Sequence, residues 1–161
     1  MSVRDAAVVA LGEAVKFESD GRDFYLRAAE QAENPLAKAV FLALAEDEKD
    51  HVRRVREIYE ELKDKPGWPD VTSMVARRSG VLGAFERAAA DLAAAVPAGG
   101  TAEQALRTAR EMEARGLAFY RDRQGRASCD AEAEFYRRLV AEEEIHLGTI
   151  DKVLGDLGSG V

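Results

Sequence analysis

The chain has 161 residues, a third of them charged, and a formal net charge of −7. This acidity, with no long cluster of Lys and Arg in the sequence, argues against a nucleic-acid partner. A composition rich in Ala, Leu, Glu, Arg and Val favours helices over sheets, and the length suits one compact domain.

Cysteine content and apolar runs narrow the class of protein further. Cys129 is the only cysteine of the sequence, which excludes an internal disulfide and a site built from several thiolates. The apolar run 6–11 is broken by Gly12 and Glu13, so it is too short for a secretory signal, and no segment has the length of a membrane span. We therefore expect a cytoplasmic protein with no membrane partner.

Apolar residues that recur at spacings of three and four predict four helices. Asn34 is expected to cap the second helix, with Pro35 at its first position. Because the connection is short, the first two helices should form an antiparallel hairpin. The predicted helices run from about Asp5 to Glu33, from Pro35 to about Lys63, from about Ala102 to Arg123 and from about Cys129 to Leu157.

The segment between the second and third helices differs in character. Pro and Gly at 66–69 end the second helix, and an alanine-rich piece from Val81 to Val96 predicts a short extra helix. Thr101 with Gln104 matches a capping box at the start of the third helix. The predicted organisation is one domain over 1–161, with the first hairpin at about 5–64, a crossover connection at 66–100 and the second hairpin at about 101–157.

The chain contains an internal repeat. A shift of 95 residues aligns 17–25 with 112–120, where four of nine positions are identical. The same shift, without a gap, places Glu48 on Glu143 and His51 on His146. The sequence therefore predicts one helical hairpin used twice, giving a four-helix bundle.

Each of the two histidines follows a glutamate by three residues, so the two side chains leave the same helix face. Buried carboxylates without partners cost several kcal/mol each, and two divalent cations would balance four of them. Oxygen and nitrogen ligands favour iron or manganese over a closed zinc site. The alternative is a solvated acidic face. The residues predicted to point inward are Glu18, Glu48, His51, Glu113, Glu143 and His146.

These motifs resemble those of the ferritin-like di-iron carboxylate proteins, most closely the rubrerythrin-like branch. The resemblance is carried by Phe17–Tyr25, Leu44–His51, Met112–Tyr120 and Ala141–His146. It implies an all-α, ferritin-like bundle of two repeated antiparallel hairpins that holds two iron ions, with manganese or zinc as substitutes.

The resemblance also implies a role for each residue. Glu48 and Glu143 would bridge the two irons, and the terminal ligands would be Glu18 and Glu113, with His51 and His146 binding one iron each. Tyr25 and Tyr120 would donate hydrogen bonds to the carboxylates, although both suit ordinary core positions equally well.

Two departures from the family pattern are visible. Typical rubrerythrins carry a rubredoxin domain with four thiolates, whereas this chain has one cysteine and ends after the bundle. They also have a further glutamate three residues after the one in helix three, where this chain has Gly116. Electrons should therefore arrive from an external donor such as a rubredoxin-type protein, and a seventh carboxylate is missing.

The function implied is a di-iron peroxidase or oxidase that protects against oxidative stress by reducing hydrogen peroxide or dioxygen, working as a homodimer. The alternatives are a ferroxidase that stores iron and a non-catalytic helical bundle. Four acids near the histidines suit either the surface or contact with a ligand histidine: Glu46, Asp47, Glu142 and Glu144. Gly21 and Gly116 provide either close helix packing or room for the oxidant. Trp68 and Cys129 are expected to be structural.

Overall fold

The computed structural model describes residues 3–71 and 100–158. Within them lie four helices and no strand: α1 is Val3–Gln31, α2 is Pro35–Asp64, α3 is Gly100–Gly125 and α4 is Asp130–Gly158. The predicted all-α fold is confirmed, and every predicted helix end lies within two residues of the observed one. The short helix predicted at 81–96 lies outside the described residues.

Helix ends are fixed by specific side chains. The Asn34 side chain accepts a hydrogen bond from the backbone N–H of Ala37 at 3.0 Å, so it caps α2 as predicted, with Pro35 in the first turn. The predicted cap at Thr101 is wrong, because α3 already includes Gly100. At the start of α4, the Glu132 carboxylate accepts hydrogen bonds from the backbone N–H and the hydroxyl of Ser128, at 2.8 and 2.7 Å.

Arg4 links the start of α1 to the end of α2, at the open end of the first hairpin. Its guanidinium donates to the carbonyl oxygen of Leu62 at 2.8 Å and to that of Lys63, in the last turn of α2. Beyond that turn, Gly67 has a φ of 101°, which a residue with a Cβ would adopt only with strain. Trp68 then packs its ring 5.7 Å from that of Phe135 in α4. These contacts join the start of the crossover to the second hairpin.

The bundle is built from two hairpins, α1 with α2 and α3 with α4, which meet through α1 against α3 and α2 against α4. The core forms two apolar clusters. One contains Tyr25, Phe41, Leu44, Leu106 and Ile150, and the other contains Leu11, Val55, Ile58, Tyr120, Tyr136 and Leu139. Along each helix the acidic or imidazole positions fall between residues of the two clusters, so a polar layer lies inside the bundle.

Among the residues that the structure describes, no helix is both long and apolar enough to cross a lipid bilayer.

Candidate metal centre

All six residues singled out by the repeat lie in this polar layer, and each is exposed by 3% or less. Every helix contributes: Glu18 comes from α1, Glu48 and His51 from α2, Glu113 from α3, and Glu143 and His146 from α4. They converge because each occupies the apolar stripe of its helix, where the 3.6-residue period turns the side chain toward the bundle axis.

The six side chains form two overlapping groups. One consists of Glu18, Glu48, His51 and Glu143, and the other of Glu48, Glu113, Glu143 and His146. Within each group, one nitrogen or oxygen atom from every residue lies within 4.8 Å of the others. Glu48 and Glu143 belong to both groups. The geometry therefore suits two cations that share two carboxylates.

Two buried oxygen atoms test whether cations fit. Oε2 of Glu48 and Oε1 of Glu143 have no hydrogen-bond partner in the described part of the chain. A buried carboxylate oxygen without a donor is costly and rare in folded proteins. Both oxygens belong to the two residues that the groups have in common. The donor set thus fits a pair of oxygen-preferring cations, which would supply the missing partners.

The histidines present one ring nitrogen each to the carboxylates. Nδ1 of His51 lies 3.3 Å from Oε2 of Glu18 and 3.4 Å from Oε1 of Glu143, and Nδ1 of His146 lies 3.2 Å from Oε2 of Glu113. Burial alone would lower the pKa of both imidazoles, but the surrounding carboxylates raise it well above its usual value. Without metal, protons on the imidazoles balance part of the negative charge; metal binding would release them.

The four carboxyl groups divide into two pairs by their pKa values. Burial, and then the charge of Glu18 or Glu113, raises the pKa of Glu48 and Glu143 well above the usual value. Burial also opposes ionisation of Glu113, but the charge of His146 and hydrogen bonds with Glu143, His146 and Tyr25 together lower the pKa to about 2. The pKa of Glu18 is likewise lowered despite burial, through a hydrogen bond with Glu48, then the charge of His51 and hydrogen bonds with His51 and Tyr120. The pair common to both groups therefore tends to hold protons when no metal is bound, and metal binding would displace them.

Two tyrosines cross between the hairpins to reach the carboxylates. The hydroxyl of Tyr25 donates a hydrogen bond to Glu113, and that of Tyr120 donates to Glu18. Burial, and then the neighbouring carboxylates, raise the pKa of both phenols well above the usual value, so they keep their protons. Each therefore holds a carboxylate of the other hairpin in place.

The four acids near the histidines divide into two kinds. Oε2 of Glu142 lies 2.5 Å from Nε2 of His51, and Oδ2 of Asp47 lies 3.4 Å from Nε2 of His146. The other two face solvent and pair with basic side chains: Glu46 with Lys49 at 2.8 Å and Glu144 with Arg121 at 2.6 Å.

The repeat in the sequence distinguishes the two acids that face a histidine from the two that face solvent. Asp47 and Glu142 are 95 residues apart and both acidic, whereas the repeat partners of Glu46 and Glu144 are Ala141 and Lys49. The 95-residue shift is thus the signal by which the two inner acids are recognised.

Arg54 is the residue of this region that sequence reasoning missed. Its Nη1 lies 2.8 Å from Oε1 of Glu142, and its Nη2 donates to Oε2 of the same carboxylate. Partial burial opposes ionisation of Glu142, but hydrogen bonds from His51 and Arg54 hold its pKa well below the usual value. No sequence pattern indicates this contact, because Thr149 occupies the matching position of the repeat.

The two mid-helix glycines have different surroundings. A Cβ on Gly116 would lie 2.8 Å from Cε1 of Phe17, so this ring fills the space where a larger side chain would stand. A Cβ on Gly21 would lie 3.9 Å from Cε of Met112, an ordinary contact. Gly21 and Met112 also line a cavity of about 10 Å³ beside Glu48 and Glu113, close to the volume that one water molecule needs. Close packing thus accounts for Gly116, and open space adjoins Gly21.

A bundle of two helical hairpins around paired carboxylate and histidine groups defines a ferritin-like protein able to hold metal ions. Residues 10–154 match the Rubrerythrin family, and the chain belongs to that family. The sequence-based resemblance to the rubrerythrin-like branch is thereby confirmed. Comparison with curated proteins and with solved structures found no match.

Proposed function

We propose that this protein is a di-iron oxidoreductase of rubrerythrin type that reduces hydrogen peroxide or dioxygen. The observation that carries the proposal is the pair of partnerless oxygens on Glu48 and Glu143, the two residues common to both ligand groups. Family membership supports iron as the metal. The mixture of carboxylate and imidazole ligands suits iron as well, since it leaves positions open for a small molecule.

Each side chain then has a defined task. Glu48 and Glu143 would be shared by the two ions. Glu18 and Glu113 would each hold one ion, and His51 and His146 would bind one ion each, since their Nδ1 atoms face the carboxylates. Six ligands from this chain leave the coordination of two ions incomplete, which is what binding of an oxidant requires.

The reaction depends on how the chain surrounds this centre. Two ferrous ions, when bound, would supply the two electrons that hydrogen peroxide needs, with two protons, to become two molecules of water. The apolar clusters on either side exclude bulk water, and the phenols of Tyr25 and Tyr120 keep Glu113 and Glu18 oriented. A cavity of about the volume of one water molecule lies beside Gly21, against Glu48 and Glu113.

Electrons for the next turnover come from a separate donor. The sequence contains one cysteine, Cys129, which is exposed, so these 161 residues cannot build a four-thiolate iron site. A rubredoxin-type protein is the class of donor we propose, acting on a homodimer of this chain.

The test is an anaerobic single-turnover experiment. Protein loaded with two ferrous ions per chain is mixed with hydrogen peroxide or with dioxygen, and the remaining ferrous iron is trapped with a chelator specific for that state. We expect two ferrous ions to be lost per peroxide. Glu48→Ala should abolish this reaction, whereas Glu46→Ala, which removes an exposed acid two residues away, should leave it unchanged.

Iron that is oxidised no faster than free ferrous ions in buffer would overturn the proposal. Mass measurement in solution tests the storage alternative at the same time. A large shell that accumulates many irons per chain would indicate a ferroxidase, whereas a dimer with two irons per chain agrees with the proposal.

A further inference from the structure

The two halves of the centre are related by the repeat, yet the groups behind the two histidines are not equivalent. In both halves an acid of the opposite hairpin faces Nε2 of the histidine: Glu142 faces His51, and Asp47 faces His146. The halves differ in the length of that acid and in what holds it.

Behind His51, the contacts form a continuous chain across the bundle. Nε2 of His51 lies 2.5 Å from Oε2 of Glu142. Both carboxylate oxygens of Glu142 accept hydrogen bonds from the guanidinium of Arg54. The Arg54 and Glu142 side chains are only 12% and 20% exposed, so water competes little for these bonds. A carboxylate fixed in this way holds the imidazole ring so that Nδ1 faces the proposed metal position. It also makes Nδ1 a stronger electron-pair donor to a metal ion.

Behind His146, the corresponding support is weaker. Asp47 is shorter by one methylene and lies 3.4 Å from Nε2, beyond the usual range for a hydrogen bond. The repeat partner of Arg54 is Thr149, whose hydroxyl donates to the carbonyl of Ile145 in its own helix at 2.9 Å. In the described part of the chain, no arginine or lysine contacts Asp47.

We propose that the two metal positions are inequivalent, and that the position served by His51 binds its ion more tightly and fills first. Arg54 and Glu142 are positioning residues for that half: they act on the ion through the orientation of the His51 ring. This inference rests on the proposed metal centre.

Anaerobic titration of the metal-free protein with Co(II) tests the inference, because the visible absorption of Co(II) reports each occupied position. We expect two binding steps in the unmodified protein. Arg54→Thr, which installs the residue found in the other half, should weaken the tighter step by about 10- to 100-fold and leave the weaker step unchanged. Arg54→Lys keeps the positive charge but loses the bidentate hydrogen bond to Glu142. It should have a smaller effect on the same step.

Arg53→Thr is the matched control. Arg53 is adjacent in α2, is 54% exposed and pairs with Glu57 at 3.0 Å, away from the centre. It should leave both steps as they are. Removing the histidines assigns the steps: His146→Ala should retain the tighter step and lose the weaker one, and His51→Ala should do the reverse.

Two equal steps in the unmodified protein, or an Arg54→Thr effect on both steps alike, would overturn the inference while leaving the metal centre intact. Melting curves of each metal-free variant show whether a lost step reflects unfolding, and the comparison requires Arg54→Thr and Arg53→Thr both to be folded at the temperature of the titration. Absence of any Co(II) binding to the unmodified protein would overturn the proposed metal centre itself, and the inference with it.

Discussion

At the scale of single residues, the hydroxyls of Tyr25 and Tyr120 hold the centre together across the hairpins. A hydrogen bond to a charged, buried group contributes about 1.5 to 3 kcal/mol. We therefore expect Tyr25→Phe and Tyr120→Phe each to lower the free energy of unfolding of the metal-free protein by about that amount, as measured by denaturant titration.

Tyr59→Phe is the matched control for these two changes. Tyr59 is half-buried beside Lys63, and its hydroxyl makes no hydrogen bond in the described part of the chain. We expect a change within about 0.5 kcal/mol, the usual range for a residue away from such features. Equal effects of all three substitutions would contradict the role assigned to the two crossing tyrosines.

The two glycines give a second prediction at this scale, with effects of opposite sign. Gly21→Ala places a methyl group in ordinary contact with Met112, so the helix should gain about 0.5 to 1 kcal/mol of stability. Gly116→Ala meets the ring of Phe17 at 2.8 Å, and such overpacking should cost about 1 to 3 kcal/mol.

Thermal melting of both variants measures these differences. Adding Phe17→Ala to Gly116→Ala should make the double variant more stable than the sum of the single changes predicts. A Gly116→Ala protein as stable as Gly21→Ala would show that Phe17 does not occupy the space.

The residues of the polar layer could be selected from the sequence because the repeat marks them. Glu48 and His51 recur as Glu143 and His146, and the same shift marks Asp47 with Glu142. Arg54 has no counterpart to reveal it. The hydrogen bonds of Tyr25 and Tyr120 to carboxylates of the opposite hairpin could not be predicted. They depend on how one hairpin packs against the other, and the residue pattern along a single helix does not encode that packing.

At the scale of helices, the capping of α2 by Asn34 fixes where the first hairpin turns. Its side chain oxygen accepts from Ala37, while its Nδ2 is buried without a partner in the described residues. Asn34→Ala should cost about 1 kcal/mol by leaving the Ala37 N–H unsatisfied. Asn34→Ser keeps an acceptor and removes the unsatisfied donor, so it should be close to neutral. Denaturant titration distinguishes the two, and equal losses would contradict the cap.

The helices themselves could be predicted closely because local chemistry fixes their ends. Pro35 opens α2 and Asp130 opens α4, again 95 residues apart, so the repeat extends to the helix starts. The start of α3 is the exception: Thr101 has the chemistry of a cap, but the helix includes Gly100 before it. A capping pattern alone does not exclude an earlier start when the preceding residues accept helical geometry.

At the scale of the whole molecule, we expect the polar layer to make the stability of the fold depend on metal. A ligand that binds only the folded state stabilises it by about 2.7 kcal/mol when its concentration is 100 times the dissociation constant. Removing metal with a chelator should therefore lower the melting temperature, and adding ferrous ions under anaerobic conditions should restore it. His146→Ala should show a smaller rise on adding iron. An unchanged melting temperature would indicate a non-catalytic bundle.

The most direct test of the central claim is the number of ferrous ions bound per chain, measured by anaerobic equilibrium dialysis and metal analysis. Two ions are predicted for the unmodified protein. Glu143→Ala, which removes a carboxylate common to both ligand groups, should reduce the number below two, whereas Glu144→Ala, which removes its exposed neighbour, should leave it at two. Binding of no iron, or of one ion that is insensitive to Glu143→Ala, would contradict the two-metal centre.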